Sequence, residues 1–536
     1  VSFQQNNPKR QLNGAARSIF PLSESRRFTI QPIITIRAGW QSRSSAIRDG
    51  NNTGSSFMSD HFSEAPRDIH FLPWIVAMAL FMQTLDGTIL NTALPAIARS
   101  LNESPLRMQS VIIGYLLTVA MLIPTSGWLA DRFGSQRVFI GAIVVFALGS
   151  LSCALSTTLT GLVLSRIAQG VGGALMMPVG RLSVLRSFPR SELVRVLSFV
   201  TIPGLLGPLV GPTLGGWLVQ YFSWHWIFLI NIPVAVVGCI AAARFMPNIR
   251  IPEIIPFDWV GFLLFAAAMG LISMSFEGLG ELQFSNAKVM LLLAAGLASL
   301  TAYGLHSNRH AAPLFSARLF QTHSFAVGIF GNLFARLGIG AMPFLTPLLL
   351  QVALGYSPMD AGMSMIPMAL ASIAIKPLAT RLINRLGFRR ILISNTLLMG
   401  LMICGFVLID AHTSTLFLYT YLAVFGGISS VQFAAMNALT LIDLDGETAS
   451  SGNSMLSVVM QLSMSLGVAS AAALLGGFVD MKMLPDPALI LEAFHKTYLC
   501  VGLIAILATG IFVQLHRDAG STTKQTTQDF PDDSMQ

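Results

Sequence analysis

Charge is what this sequence has least of: Asp, Glu, Lys and Arg make up 11% of its 536 residues, where soluble domains carry about a quarter. So little charge cannot cover a water-facing surface of this size, which excludes a soluble enzyme or a nucleic-acid-binding domain as the overall class. Cysteine is rare as well. Cys153, Cys239, Cys404 and Cys500 all lie inside apolar runs, where they read as small packing residues and not as a disulfide framework or thiolate metal site. None of the nine histidines stands in HExxH spacing. Eight of them, including His306, His310 and His495, fall in predicted loops or tails, with His225 at a helix edge, so no metal site is expected. Acids inside the apolar runs reduce to Asp86 and the edge residue Glu277. That is too few to converge as the site of a membrane-embedded enzyme, and neither a ring of charge nor a carbonyl filter suggests a channel. No enzymatic activity and no cofactor are expected.

What is abundant is hydrocarbon. Hydrophobic residues make up 53% of the chain, gathered in runs at 71–93, 108–129, 137–155, 160–182, 195–218, 226–246, 258–277, 287–305, 324–349, 358–379, 390–409, 415–438, 452–477 and 497–515. Each is close to the ~20 residues that a bilayer-spanning helix needs. The fold class is therefore an all-α membrane protein with about 14 transmembrane helices. An even number puts both termini on one side. Between the runs, fourteen Lys and Arg fall on that side and five on the other, so the positive-inside rule predicts that both termini are cytoplasmic. The formal charge of +8 is concentrated in residues 1–57, which hold eight Lys and Arg against Glu24 and Asp49. This polar stretch lacks the continuous apolar core of a signal peptide. It is expected to be a disordered or non-native extension ahead of a start at Met58, with a basic membrane-surface arm as the alternative. Residues 58–70 then form a cytoplasmic N-terminus and residues 517–536 a disordered cytoplasmic tail.

An internal repeat follows from comparing two loops. After the second run the chain reads GWLADRFGSQR (127–137), and after the tenth TRLINRLGFRR (380–390); Leu129/Leu382, Arg132/Arg385, Gly134/Gly387 and Arg137/Arg390 coincide at equal spacing. Two related halves in a polytopic chain suggest a transporter with a site at their interface, exposed alternately to each side. In the first loop, Asp131 is expected to pair with Arg132, Arg137 or the N-terminus of a neighbouring helix. Gly134 permits a turn that a side chain would obstruct. Such a cluster, with Gly127 and the equivalent Arg385 and Arg390, can act as a conformational latch.

Asp86 stands in LDGTILNTALP, in the middle of the first run. A carboxylate there costs several kcal/mol on insertion scales and is a functional-site hypothesis by default. The fourth run, LVLSRIAQGVGGALMMPVG, carries Arg166 and Gln169 on one helix face at i, i+3. Arg166 needs an acid, an anion or carbonyl groups, and Asp86 is the nearest acid by depth; snorkelling to the interface is the alternative. Proton occupancy of Asp86 would then change as a cavity opens to one side or the other; an acid neutralised permanently by a structural Arg is the alternative. Asn91, one turn beyond Asp86, and Gln169 are candidates for the cavity wall. The fifth run, GLLGPLVGPTLGGW, repeats glycine and proline at Gly204, Gly207, Pro208, Gly211, Pro212, Gly215 and Gly216, which gives a flat, bent helix able to pack closely on a moving neighbour.

These motifs carry a family resemblance. GWLADRFGSQR resembles the signature loop of the major facilitator superfamily, although Ser135 and Gln136 depart from its usual run of basic residues. The paired Gly-Pro steps resemble the antiporter motif of its drug–proton exchangers. Together with LDGTILNTALP and SWHWIFLINIPV (223–234), they resemble the fourteen-helix drug–proton antiporter branch (EmrB/QacA-like), and SSGNSMLSVVMQLSMSLGV (450–468) looks like its MdtD type. The resemblance covers residues from about 71 to 516. It implies the major facilitator fold: six-helix bundles at 71–246 and 324–516 with an inserted helix pair within 247–323. It also implies a proton-driven efflux transporter in the bacterial inner membrane, powered by the proton-motive force, acting as a monomer on a small molecule such as an amphipathic drug. Met359, Met363, Met365 and Met368 would suit such adaptable recognition, or ordinary packing. Arg336 and Lys376, near runs nine and ten without a matching acid, favour the alternative of an anionic metabolite or metal chelate such as a tricarboxylate or iron-citrate. A transporter-like sensor would keep the same fold.

Overall fold

Every regular element among the described residues is helical. The computed structural model describes residues 69–251, 256–279, 285–444, 446–479 and 486–516; the expectations for residues 1–57 and 517–536 lie outside them. In the first half of the chain the helices are α1 (Leu72–Ser100), α2 (Gln109–Leu122), α3 (Thr125–Phe133), α4 (Ser135–Ala154), α5 (Leu159–Ser187), α6 (Arg190–Tyr221), α7 (Trp226–Leu229) and α8 (Asn231–Phe245). An inserted pair, α9 (Trp259–Leu279) and α10 (Asn286–Ser307), follows. The second half holds α11 (His323–Leu348), α12 (Pro358–Ser364), α13 (Ile366–Ala374), α14 (Lys376–Cys404), α15 (Thr415–Leu441), α16 (Gly446–Phe478), α17 (Pro487–Leu507) and α18 (Thr509–Val513).

Thirteen helical segments among the described residues are long and apolar enough to cross a membrane, one fewer than the runs suggest. The tenth run accounts for the difference. It is split into α12, α13 and the start of α14, with Pro367 and Pro377 each just inside the helix that follows a break. A proline has no N–H to give to the preceding turn and its ring crowds that turn's carbonyl, so the segment bends twice. Pro124 breaks the second run into α2 and α3 in the same way. The histidine placement also differs from the expectation. His306 lies in the last turn of α10 and His495 inside α17, because both helices extend beyond the apolar runs that announce them; α17 starts at Pro487, capped by Asp486, whose carboxylate accepts from the Ala488 N–H. Lys496 consequently sits on helix, paired with Glu492 at 2.8 Å.

The repeat is visible in the backbone. Gly134 has φ 93° and ψ 139°, and Gly387 has φ 77° and ψ 159°. Both occupy a region that is essentially restricted to glycine, so the chain turns at the same point of each repeated loop, between α3 and α4 in the first half and at a kink that divides α14 at Gly387 in the second.

α1 packs along α6, α4 along α5 and α11 along α16, while the inserted α9 lies against both α2 of the first half and α16 of the second. Close approach of α1 and α6 depends on the glycines of the fifth run. A Cβ at Gly207 would collide with the Thr84 hydroxyl and the Leu85 amide, and Thr88 and Thr92 of α1 donate to the Gly207 and Pro212 carbonyls at 3.1 Å each. Gly216, on another face of α6, meets the backbone of Pro358 and Met359 at the start of α12. One helix thus fixes the position of α1 and also touches the second half.

Candidate functional site

Asp86 is 1% exposed, and Arg166 on α5 is equally buried. Two groups ionised at that depth must satisfy one another. Arg166 Nη1 donates to Asp86 Oδ2 at 2.6 Å and to Gln169 Oε1 at 2.7 Å. The other carboxylate oxygen accepts from Gln169 Nε2 at 2.9 Å and from Asn231 Nδ2 at 3.0 Å. Asn231, the first residue of α8, also reaches the Ser150 hydroxyl of α4 at 3.1 Å. Asp86 therefore holds together α1, α5 and α8, with α4 one bond further on. Small residues make this convergence possible: a Cβ at Gly172 would strike the Ala142 carbonyl and the Phe146 amide of α4.

On its other side the Arg166 guanidinium lies over the Tyr115 ring of α2, 4.4 Å from its centroid, and Arg166 Nε donates to the Val111 carbonyl at 3.4 Å. Arg166 and Tyr115, with Asn91, form one wall of a cavity of about 40 Å³ whose opposite wall includes Pro343, Phe344 and Met464 of the second half. Asp86 is behind that wall. A space of this size takes a few water molecules, whereas a drug-sized ligand needs several hundred Å³; admitting one requires the halves to part.

Arg336 of α11 is 2% exposed. Its Nε donates to Asn332 Oδ1 at 2.8 Å and its Nη2 to Asn437 Oδ1 at 3.0 Å, and the Phe433 ring centroid lies 4.1 Å away. Among the described residues no carboxylate pairs with it. Lys376, in contrast, is exposed at the first position of α14. Of the four residues expected on the cavity wall only Asn91 lines it; Arg336, Lys376 and Gln169 do not, because Arg336 is turned to its asparagine partners, Lys376 to the surface and Gln169 to Asp86.

The signature loop pairs differently from the expectation. Asp131 Oδ1 accepts from Arg186 Nη1 at 2.7 Å, not from Arg132 or Arg137. Arg186 sits in the last turn of α5, where a cation complements the helix terminus. Arg132, the next residue on the same helix, projects about 100° away and stacks over Trp128 at 5.1 Å. Its carbonyl accepts from Arg250 at 2.8 and 3.2 Å. Arg137, Arg385 and Arg390 are exposed, and Gly127 is half-buried in α3. The Asp131–Arg186 pair lies wholly within the first half.

Sequence reasoning paired Asp86 with Arg166 but expected Gln169 on the cavity wall, not on the carboxylate, and it did not single out Asn231, Ser150 or Tyr115. Asn231 stood in plain view as a polar residue in SWHWIFLINIPV; its partner was invisible because it is 145 positions away.

Comparison with known proteins agrees with the geometry. Among curated relatives, the protein named "Putative multidrug resistance protein MdtD" in Serratia proteamaculans is 48% identical over 459 residues, covering 85% of this chain and 95% of its own. The protein of that name in Pectobacterium atrosepticum is 46% identical, covering 86% and 98%. Among solved structures, a D-xylose–proton symporter superposes with a TM-score of 0.60 at 13% identity, over 84% of this chain and 99% of its own. A POT family transporter in complex with 5-aminolevulinic acid gives 0.58 at 14%, over 86% and 98%. Likenesses that low in identity speak for the fold. The sequence profile of the Major Facilitator Superfamily matches residues 76–468, and with the buried Asp86–Arg166 network and the repeated glycine turns in view, the chain belongs to that superfamily of membrane transporters.

Proposed function

We propose that this protein is a proton-driven exporter of small amphipathic molecules, a multidrug:H⁺ antiporter of the bacterial inner membrane with both termini in the cytoplasm, powered by the proton-motive force and requiring no cofactor. The observation that carries the reading is Asp86: an intramembrane carboxylate held by Arg166, Gln169 and Asn231 immediately behind the cavity wall. The relatives named for multidrug resistance support the substrate class. Neutralising Asp86 removes the partner of Arg166, which is the kind of local charge change that switches a two-state packing. Replacing Asp86 by Asn keeps the shape and abolishes proton exchange, so Asp86→Asn protein reconstituted in proteoliposomes is expected to insert and bind dye yet to lose transport driven by an imposed pH gradient. Transport at the wild-type rate in that variant would remove Asp86 from the coupling.

A second reading, export of an organic anion or metal chelate, is favoured by Arg336, a buried cation paired only with neutral groups. For an anion, Arg336→Gln should weaken binding by roughly one to two powers of ten, the value of a charge-assisted contact. Lys376→Met, at an exposed cation where Arg336 is a buried one, serves as the control. Unchanged anion binding in Arg336→Gln would leave that arginine a structural role.

A further inference from the structure

The inserted helix pair contains a group of donors that the transport reading does not use. Asp258, just ahead of α9, is 5% exposed. Its Oδ1 accepts from the Gly261 N–H at 2.8 Å and faces His306 Nε2 at 2.8 Å, and its Oδ2 has the Leu314 N–H at 3.3 Å. His306 occupies the last turn of α10, and the helical hydrogen bonding continues past the end of that helix: the His310 N–H donates to the His306 carbonyl at 3.0 Å. That extra turn matters, because residues four apart on a helix stack on one face. The two imidazoles are accordingly 5.1 Å apart between centroids and tilted by 34°.

One ligand atom each from Asp258, His306 and His310 lie within 4.8 Å of one another. Donors around a zinc ion, bound at about 2.0 to 2.2 Å, are separated by roughly 3 to 4 Å, so a side-chain adjustment of under about 1 Å closes the set. The hydrogen bonds already present leave room for it. Asp258 Oδ2 has only one long contact, and His310 Nδ1 only the Ala312 N–H at 3.3 Å. The burial of the group grades from buried Asp258 through half-buried His306 to exposed His310, which gives an ion a route from water and leaves positions for water ligands. Two imidazoles and one carboxylate are a borderline set that suits Zn²⁺, Ni²⁺ or Cu²⁺ and not Mg²⁺ or Ca²⁺.

We propose that Asp258, His306 and His310 form a binding site for a divalent transition-metal ion at the open end of the inserted pair. The ion would join the start of α9 to the end of α10 and to the segment that leads on to α11, closing the hairpin. It is independent of the transport reading, since none of its residues lines the cavity.

The test uses the full chain in detergent, with any affinity tag removed and metals stripped by chelation, titrated with Zn²⁺ by calorimetry and with Co²⁺ by visible absorption. Wild type is expected to bind one ion of either metal and to melt at a higher temperature with Zn²⁺. His310→Asn is the decisive variant, because His310 contributes nothing to the Asp258–His306 pair: its stability without metal should match wild type, while its Zn²⁺ affinity should fall by at least about tenfold, the loss seen even for partners one shell out. His306→Gln should abolish binding, at a cost in stability. A wild-type protein that binds neither metal, or His310→Asn protein that binds as tightly as wild type, would show the cluster to be a histidine–carboxylate helix cap only.

Discussion

Both oxygens of Asp86 are engaged, Oδ2 by Arg166 and Oδ1 by Gln169 and Asn231. The value of that arrangement is measurable pair by pair. A hydrogen bond to a charged group contributes about 1.5 to 3 kcal/mol and one between neutral groups about 1. Asn231→Ala should therefore cost more in wild type than in the Asp86→Asn background, with a coupling of about 1 kcal/mol or more by denaturant unfolding in micelles. Equal costs in both backgrounds would mean that the contact is not made in solution. Removing the arginine instead, as Arg166→Ala, leaves a buried carboxylate without its cation and should cost about 3 to 5 kcal/mol. The residues of this network divide by how they announce themselves. Asp86 and Arg166 were legible because a charge in an apolar run demands a reason, and Gln169 because it shares a helix face with Arg166. Asn231 and Tyr115 look like ordinary residues at a helix entry and on a helix face; only the packing of α8 and α2 against α1 and α5 gives them partners.

At the scale of elements, apolar runs located nearly every helix, since bilayer-length hydrocarbon is a signal that needs no tertiary context. What they could not convey was continuity. Pro367 and Pro377 were visible in the tenth run, yet whether a proline bends a helix or splits it is decided by what neighbouring elements supply to the freed carbonyls. The paired turns at Gly134 and Gly387 offer a cleaner case. Nothing lies within 4 Å of where a Cβ at Gly387 would be, so Gly387→Ala isolates the backbone penalty, about 1 to 3 kcal/mol. Gly134→Ala should cost more, because its Cβ would also displace the Asn248 side chain. Thermal unfolding of the two variants should rank them in that order; a neutral Gly387→Ala would show that the turn adopts a different backbone in solution.

For the whole molecule, the halves meet where α6 touches α12 and where α2 touches α16; the first of these contacts is the more readily tested. Thr213 Oγ1 donates to the Gly362 carbonyl at 3.3 Å, the Met359 N–H to Gln220 Oε1 at 3.2 Å, and a Cβ on Gly362 would strike the Pro212 carbonyl. Gly362→Leu should wedge the two helices apart. Spin labels on α6 and α12 would then report a longer distance than in the parent, and an unchanged distribution would mean that this contact does not set the closure. The existence of two halves was readable from the repeated loops, but which helices seal them was not, because the repeat relates the halves without saying where they touch. Arg166 has a further consequence at this scale, since it stands in the wall between the carboxylate and the cavity. With Asp86 ionised, the wall is electrically balanced; with a proton on Asp86, it shows a net positive charge to whatever lies inside. A cationic passenger and the proton then exclude one another without ever occupying the same place, while an anionic passenger and the proton favour one another. Linkage makes each relation reciprocal, so the sign of the proton flux on binding, release for a cation and uptake for an anion, reports the polarity of the cargo even before the cargo is known.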